Sequence, residues 1–510
     1  MNHTPRLKFT VKRVVLLFVA LVFTAGCSFP TRESAHSGSQ TAKADCHTPG
    51  DGDRRKVALE HGIRGQVRFV DTPEQLSTIR DKMSEYKIPA LSLAVIEAGE
   101  IAWADLYRDT TLSKGHQLDC NSIFQAASLS KPVTFLAALR MQDAGAIDLD
   151  EDIQKYLKSF NLPEGEQTAD NPVTFRNIFA HTSGITPGGY QGYLKEVPFP
   201  SDQDVLKGAE GVNSPAISVV SPPNELLAYS GGGYTLAEVA LQDHFGKEFS
   251  EIMKEWILDP VGMKHSEFTQ PLPESEYERV AKGHTANGEM IAGGWHNHPE
   301  QAAAGLWSNA GDMAKFLIEL YKGYQGESEV FSKEDILKIL KEERDGLVYG
   351  FIINRNGDDL AVTHYGGNAG YRTGMTISLT TGKGLVYLSN SDSGGALGNE
   401  LLLSASRIYG WKHFEQISFE QTQVEPMVLK GLEGRYLWDD QVALSVALDD
   451  NEGRIALFFP NGDAYKLTPV VGEDLDFVHP GTGVTVAFKK DDDHRSFTLY
   501  GRTAVKLDSL

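Results

Sequence analysis

Apolar positions along the chain switch between two periods, and the switches mark out the elements. Between Pro73 and Tyr86, the residues Leu76, Ile79 and Met83 recur on one helical face. Two strand-like runs follow at 90–96 and 101–107, parted by Glu97-Ala-Gly-Glu100, and their length with Gly99 predicts a β-hairpin. Helical spacing returns from Ser128 through Met141, where Gly145 suits the end of the helix. Residues 146–157 read as a turn and short helix. Further helices are expected at 173–181, 234–245 and 249–257, within a mixed region of helices and loops from about 160 to 340. Strand patterns resume at 347–353, 375–379 and 384–389. Strands at both ends with helices between predict an α/β (α+β) architecture. It would hold an antiparallel sheet closed by long-range pairing, flanking helices and a helical subdomain. Beyond about 428 the pattern becomes short alternating runs at 442–448, 455–459, 465–470, 475–478, 484–488 and 497–500. Turn signals such as Asn461-Gly-Asp463 break them, which predicts a second, smaller all-β domain, a barrel or sandwich.

The first 27 residues read as a targeting segment. Arg6, Lys8, Lys12 and Arg13 precede an uncharged apolar run at 14–25, shorter than the roughly 20 residues a bilayer span needs. The run ends Thr24-Ala-Gly-Cys27, which resembles the lipobox of bacterial lipoproteins. That resemblance implies lipidation at Cys27, with plain secretion the alternative because Thr24 stands where leucine is usual. Ser28 resembles the outer-membrane sorting pattern, so the expected location is an exported, periplasm-facing lipoprotein held to the outer membrane by its lipid. Residues 28–62 are polar and aperiodic and read as a flexible tether. An oxidising compartment would permit Cys46 and Cys120 to pair. The net charge of −21, without a basic patch, excludes nucleic acid as a partner.

The candidate chemistry starts at Phe124-Gln-Ala-Ala-Ser-Leu-Ser-Lys131. Ser128 and Lys131 are three apart, so on a helix they share one face. A helix start also offers free N–H groups and a partial positive charge to a developing oxyanion. Four later stretches bear on this pair: His181-Thr-Ser-Gly184, Tyr229-Ser-Gly231, Glu300-Gln-Ala-Ala-Ala-Gly-Leu306, and His364-Tyr-Gly-Gly367. The last is expected to open a strand running to Leu379.

In that order and spacing these motifs resemble the penicillin-recognising serine hydrolases, specifically their class C β-lactamase-like group. The group also holds D-Ala-D-Ala carboxypeptidases, D-aminopeptidases and esterases. The resemblance covers about residues 65 to 415 and implies a hydrolase domain at 63–415. A lipocalin-like module is expected at 428–510, opening at Leu432-Glu-Gly-Arg-Tyr436. It implies Ser128 as acyl-accepting nucleophile, and Lys131 and Tyr229 as the proton-transfer groups, with the acylation base left open between them. The N–H groups of Ser128 and Gly367 would form the oxyanion hole, each donor worth about 2.7–4 kcal/mol. Ser230, Gly231, His364 and Gly366 would line the substrate site. Two departures shift the expected substrate. Gly231 stands where relatives that process β-lactams carry an asparagine contacting the substrate amide, and His364 stands where many carry a lysine. Both resemble the esterase and peptidase branches, so an ester, D-amino-acid peptide or β-lactam is expected, the last least. A His364 cation near Lys131 is part of this expectation.

Bland readings compete at several positions. A lone Ser-x-x-Lys is more often a helix cap with a solvated lysine. Asp148, Asp150 and Asp152 lack the glycine and closing glutamate of a calcium loop and read as caps. His296 and His298 lack a third ligand, and no metal or cofactor is expected. His181 is expected to order its turn. Trp295 and Tyr371 divide between cleft rim and core. The competing function is a catalytically silent sensor that binds acylated ligands.

Overall fold

The computed structural model describes residues 54–112, 117–438, 442–449, 453–460, 462–489 and 496–507. The targeting segment with Cys27, most of the expected tether and Cys46 lie outside these residues. The chain divides into two compact units, one built from Ser418 onward with Phe69–Asp71, the other from the remaining body through Ile417.

The larger unit is organised on a seven-stranded antiparallel sheet. Its strands are β1 (Ala90–Glu97), β2 (Glu100–Arg108), β3 (Leu347–Val348), β4 (Phe351–Asn356), β5 (Asp359–Asn368), β6 (Tyr371–Ser378) and β7 (Gly384–Ser389). Their order is β3-β4-β5-β6-β7-β1-β2, so the N-terminal hairpin completes a sheet begun 250 residues later. The expected hairpin and its long-range closure are both present. Gly99 turns it at a φ of 75°, and a Cβ there would lie 2.4 Å from the Tyr321 ring, so only glycine fits. β1 is buried on both faces, which is why it reads as an apolar run broken only by Ser92 before Glu97. Ala90, Ala94 and Ile96 join the core under the long helices, while Leu91, Leu93 and Val95 face a second core with Leu397 and Leu401.

Four helices matter for the site: α1 (Ser130–Asp143), α2 (Gly231–Phe245), α3 (Ala310–Gln325) and α4 (Gly394–Tyr409). α1 is buried nearly all round, and the two-sided core explains its weak amphipathic signal. α3 begins on Asn309, whose side chain accepts the Asp312 N–H, and Ser92 of β1 accepts the Ala310 N–H.

Several expectations need correction. The 73–86 helix begins only at Ile79, because Thr78 and Asp81 form a capping box there, and Leu76 is half exposed. His364-Tyr-Gly-Gly367 closes β5 instead of opening a strand; Gly370 at φ 77° turns the chain into β6. Arg54–Glu60 is a helix with Leu59 fully buried, so the folded body reaches into the stretch read as tether. Asp152 caps a turn and Asp150 pairs with Arg176, as the capping reading of that acidic group expects. Cys120 is disulfide-bonded.

The smaller unit is a closed barrel of eight antiparallel strands between Gly434 and Lys506. Six of its strands are those the alternation marks; Gly434–Trp438 and Arg502–Lys506 pair with each other and close it. Its interior is filled, with Tyr436, Phe477, Phe488 and Phe497 wholly buried and their rings 4.9–6.0 Å apart.

Candidate active site

Ser128 sits in a 3₁₀ turn, Ala127–Leu129, that runs directly into α1. The residue before it, Ala127, holds a left-handed φ of 52°, which a non-glycine residue keeps only under constraint. The constraint is visible: Ser130 Oγ donates to the Ala127 carbonyl at 2.6 Å, and Leu306 N–H donates to Ser130 Oγ at 3.0 Å. Ala126 N–H donates to Leu306 O at 2.8 Å, and Thr373 Oγ1 donates to Ala126 O at 3.0 Å. The turn is thus clamped from β6 and from the 301–306 segment together.

Lys131 points back at Ser128, with Nζ 3.4 Å from Oγ, as the three-residue spacing expects. Nζ also donates to Ala303 O at 2.8 Å. It lies over the Tyr229 ring at 4.7 Å and the Tyr234 ring at 5.6 Å. The lysine is buried, and among the described residues it makes no ion pair. Tyr229 is 44% exposed and presents its ring face to Lys131.

Tyr229 is held by His181. Ala228 N–H donates to His181 O at 2.8 Å, Ser230 N–H donates to His181 Nδ1 at 3.1 Å, and the two rings stack at 4.4 Å. An accepting Nδ1 requires the neutral imidazole. Burial, then the charge of Lys131, then His364 hold its pKa well below the usual value. The expected ordering role of this histidine is extended here to Tyr229 itself.

The residues expected to line the substrate site have mostly internal duties. Ser230 is buried, and its hydroxyl caps α2 by accepting Gly233 N–H at 2.9 Å. Gly231 and Gly232 donate their N–H groups to Gly188 O and Pro187 O, both at 2.9 Å. A Cβ on Gly231 would lie 3.1 Å from the ring of Tyr190, which fills that space. Gly366 is seated on the Ser128 turn: a Cβ there would lie 2.6 Å from Ala126 O and 3.1 Å from Ala127 Cβ. Gly367, one residue on, is exposed. Beyond Thr363 the strand β5 has no β4 partner, so the Gly366–Gly367 segment forms an open edge beside Ser128.

His364 does not supply the expected cation. It is buried, its ring nitrogens lack well-formed hydrogen bonds, and burial followed by the Lys131 charge lowers its pKa to about 3. Weak contacts with the Gly350 and Ser128 backbone oppose that only in part. His298 is fully buried, 3.7 Å from Glu300, and no group of metal ligands forms among the described residues. Trp295 and Tyr371 are core residues, at 1% and 0% exposed.

Sequence reasoning passed over the groups that aim Lys131. Ala303 acts through its carbonyl, which no side-chain pattern betrays. The Glu300–Leu306 stretch was marked without a role.

A serine and a lysine meeting at the head of a buried helix, beside an open sheet edge, place the protein among serine hydrolases of the β-lactamase fold. The beta-lactamase family profile matches residues 77–405, and the chain belongs to that family. Penicillin-binding protein 4* of Bacillus subtilis (strain 168) is 21% identical over 453 residues, spanning 84% of this chain and 96% of its own length. The D-alanyl-D-alanine-carboxypeptidase/endopeptidase AmpH of Escherichia coli (strain K12) is 22% identical over 336 residues, 60% of this chain and 82% of its own. The octameric penicillin-binding protein homologue from Pyrococcus abyssi shares the fold at a TM-score of 0.57 and 22% identity, over 84% of this chain and 98% of that one.

Proposed function

We propose that the protein hydrolyses an ester or a D-amino-acid amide through an acyl-Ser128 intermediate, as a class C-like member of its family. The observation that carries this reading is Lys131 Nζ at 3.4 Å from Ser128 Oγ, tethered by Ala303 O. A serine hydroxyl is a weak nucleophile and needs a base within reach; of the two candidates, only Lys131 makes that contact. In the form whose Lys131 is the free amine, Ser128 Oγ attacks the carbonyl carbon while its proton passes to the Lys131 lone pair, giving the ammonium. The oxyanion is received by the N–H groups of Ser128 and Gly367. The leaving group departs with a proton delivered from the Lys131–Tyr229 side, and water then releases the acyl group.

Gly231 favours esters and D-amino-acid amides over β-lactams. The space beyond it is taken by the Tyr190 ring, so an aromatic edge stands where an amide-recognising side chain would be needed.

Incubation with a fluorophosphonate probe and peptide mapping should find the adduct on Ser128. A panel of p-nitrophenyl esters, D-amino-acid amides and a chromogenic cephalosporin should show turnover of the first two classes above the third. Ser128→Ala should abolish it with folding intact; retained hydrolysis in that variant overturns the mechanism, and dominant cephalosporin turnover overturns the substrate class.

The same reading places the protein at the periplasmic face of the outer membrane, lipidated at Cys27. The targeting pattern and the disulfide at Cys120 support export. Labelled palmitate should enter the wild-type chain and not a Cys27→Ser variant; equal labelling refutes the anchor.

A further inference from the structure

Glu238 is fully buried on α2, the helix that begins directly after Tyr229-Ser230. Its Oε2 accepts the Ala302 N–H at 2.8 Å. The following peptide is held as well, where Thr134 Oγ1 of α1 donates to Ala302 O at 3.3 Å. The next carbonyl, Ala303 O, is the one that Lys131 Nζ reaches at 2.8 Å. An unbroken chain of contacts therefore runs from the helix that follows Tyr229, through Glu238 and the peptides of residues 302 and 303, to Lys131 and Ser128.

We propose that Glu238 is a positioning residue that holds the Ala303 carbonyl, and with it Lys131, at its distance from Ser128. The proposal rests on the acyl-Ser128 reading. The bland alternative is a buried acid that merely satisfies one N–H, and the surroundings weigh against it. Burying a carboxyl group is costly, and this one faces further acids: Asp202, which Gln242 engages, and Glu300, which is also fully buried. Gln301 and the Tyr190 hydroxyl are further polar neighbours. Burial first, then Asp202, raises the pKa of Glu238 well above the usual value, which favours the neutral acid, and the geometry asks only for an oxygen that accepts Ala302 N–H. A neutral glutamine should do the same work.

The test is full-length protein carrying Glu238→Gln, Glu238→Leu or Thr134→Val, with rates normalised to sites titrated by the fluorophosphonate probe. Glu238→Gln should keep kcat within about twofold of wild type, because the acceptor is retained. Glu238→Leu should lower kcat about 10- to 100-fold per titrated site with KM nearly unchanged, the scale expected when a catalytic group is displaced by about 1 Å. It should also shift the pH profile of Ser128 acylation, which glutamine should leave in place. A purely structural role would reduce the number of titrated sites and move neither kcat per site nor the profile. Wild-type kcat and profile in Glu238→Leu overturn the proposal, as does a Gln variant as impaired as Leu. If the Leu variant does not fold, Thr134→Val, which loosens the adjoining peptide between the one Glu238 holds and the Ala303 carbonyl, carries the decision: it should lower kcat per site in the same direction, and an unchanged value overturns the proposal. Loss of the acyl-Ser128 reading would appear separately, as activity in Ser128→Ala.

Discussion

The wall of the cleft that carries Ser128 and Lys131 is held through its peptide groups by Thr373 of β6 and by the 301–306 segment, with Gly366 of β5 packed against it, whereas the wall that carries Tyr229 hangs largely on one histidine. On the first wall Ala126, Ala127, Ala302, Ala303 and Leu306 all serve through peptide groups. On the second, His181 provides a carbonyl, a ring nitrogen and a stacking face to three successive residues. The difference separates two tasks. Bond making needs a base fixed to a few tenths of an ångström, and a web of peptide groups supplies it. A half-exposed tyrosine can move with what enters the cleft.

The sharpest way to break this comparison is to remove one group from each wall. Lys131→Met should lower kcat about 10²- to 10⁴-fold, the range for a positioned acid–base group, and abolish probe labelling of Ser128. Tyr229→Phe keeps the ring that faces Lys131 and should fall at or below about 10²-fold, the low end of that range. Equal losses would show that the tyrosine hydroxyl shares the first proton transfer.

The second effect is on stability, and it strikes the clamped wall. His364 has a folded pKa of about 3 against about 6.5 unfolded. Between these values the unfolded chain binds the proton and the folded one does not. Stability is therefore full above about pH 6.5 and is lost as pH falls towards 3, by an amount on the order of a few kcal/mol. His181 acts in the same direction on the other wall. Asp202, raised to about 6, acts in the opposite one, its stabilisation present at low pH and lost as pH rises from about 4 through 6. The difference between wild type and His364→Asn isolates the one residue: denaturant midpoints measured from pH 7 to 4 should fall less steeply in the variant. Parallel slopes would mean that His364 titrates normally.

How much of this was legible in the chain depends on the kind of group. The Ser128–Lys131 contact follows from helix geometry and was readable at three-residue spacing. So was the hairpin that completes the sheet, because alternation and Gly99 are local signals. His364 misled because a residue's charge depends on burial, and burial here comes from β5 meeting the Ser128 turn across more than 200 residues. The strand end at Asn368 was misread since a β-turn at Gly370 leaves no apolar gap. α3 and α4 escaped notice inside a region read only as mixed, or beyond the last marked strand. Glu238 was silent: in sequence it is an ordinary helical glutamate, and only the fold shows that it faces a peptide of the 301–304 turn.

The smallest effects should come from adding one methyl group to each wall. A Cβ on Gly366 would lie 2.4 Å from Thr373 Oγ1 and 2.6 Å from Ala126 O. The second contact is backbone of the Ser128 turn, which has no room to yield because Leu306, Ser130 and Thr373 hold it. Gly366→Ala should therefore cost about 1–3 kcal/mol and lower kcat as the turn is pushed from Lys131. On the other wall a Cβ on Gly231 meets the Tyr190 ring at 3.1 Å and Gly188 O at 3.2 Å. A ring edge and a loop can give by that amount. Gly231→Ala should thus stay within about 1 kcal/mol of wild type, as an ordinary substitution without a severe clash does. Chemical denaturation of the two variants decides it. If Gly231→Ala proves the more damaging, the Tyr229 wall is the rigid one, and substrate selection there works by fixed fit and not by yielding.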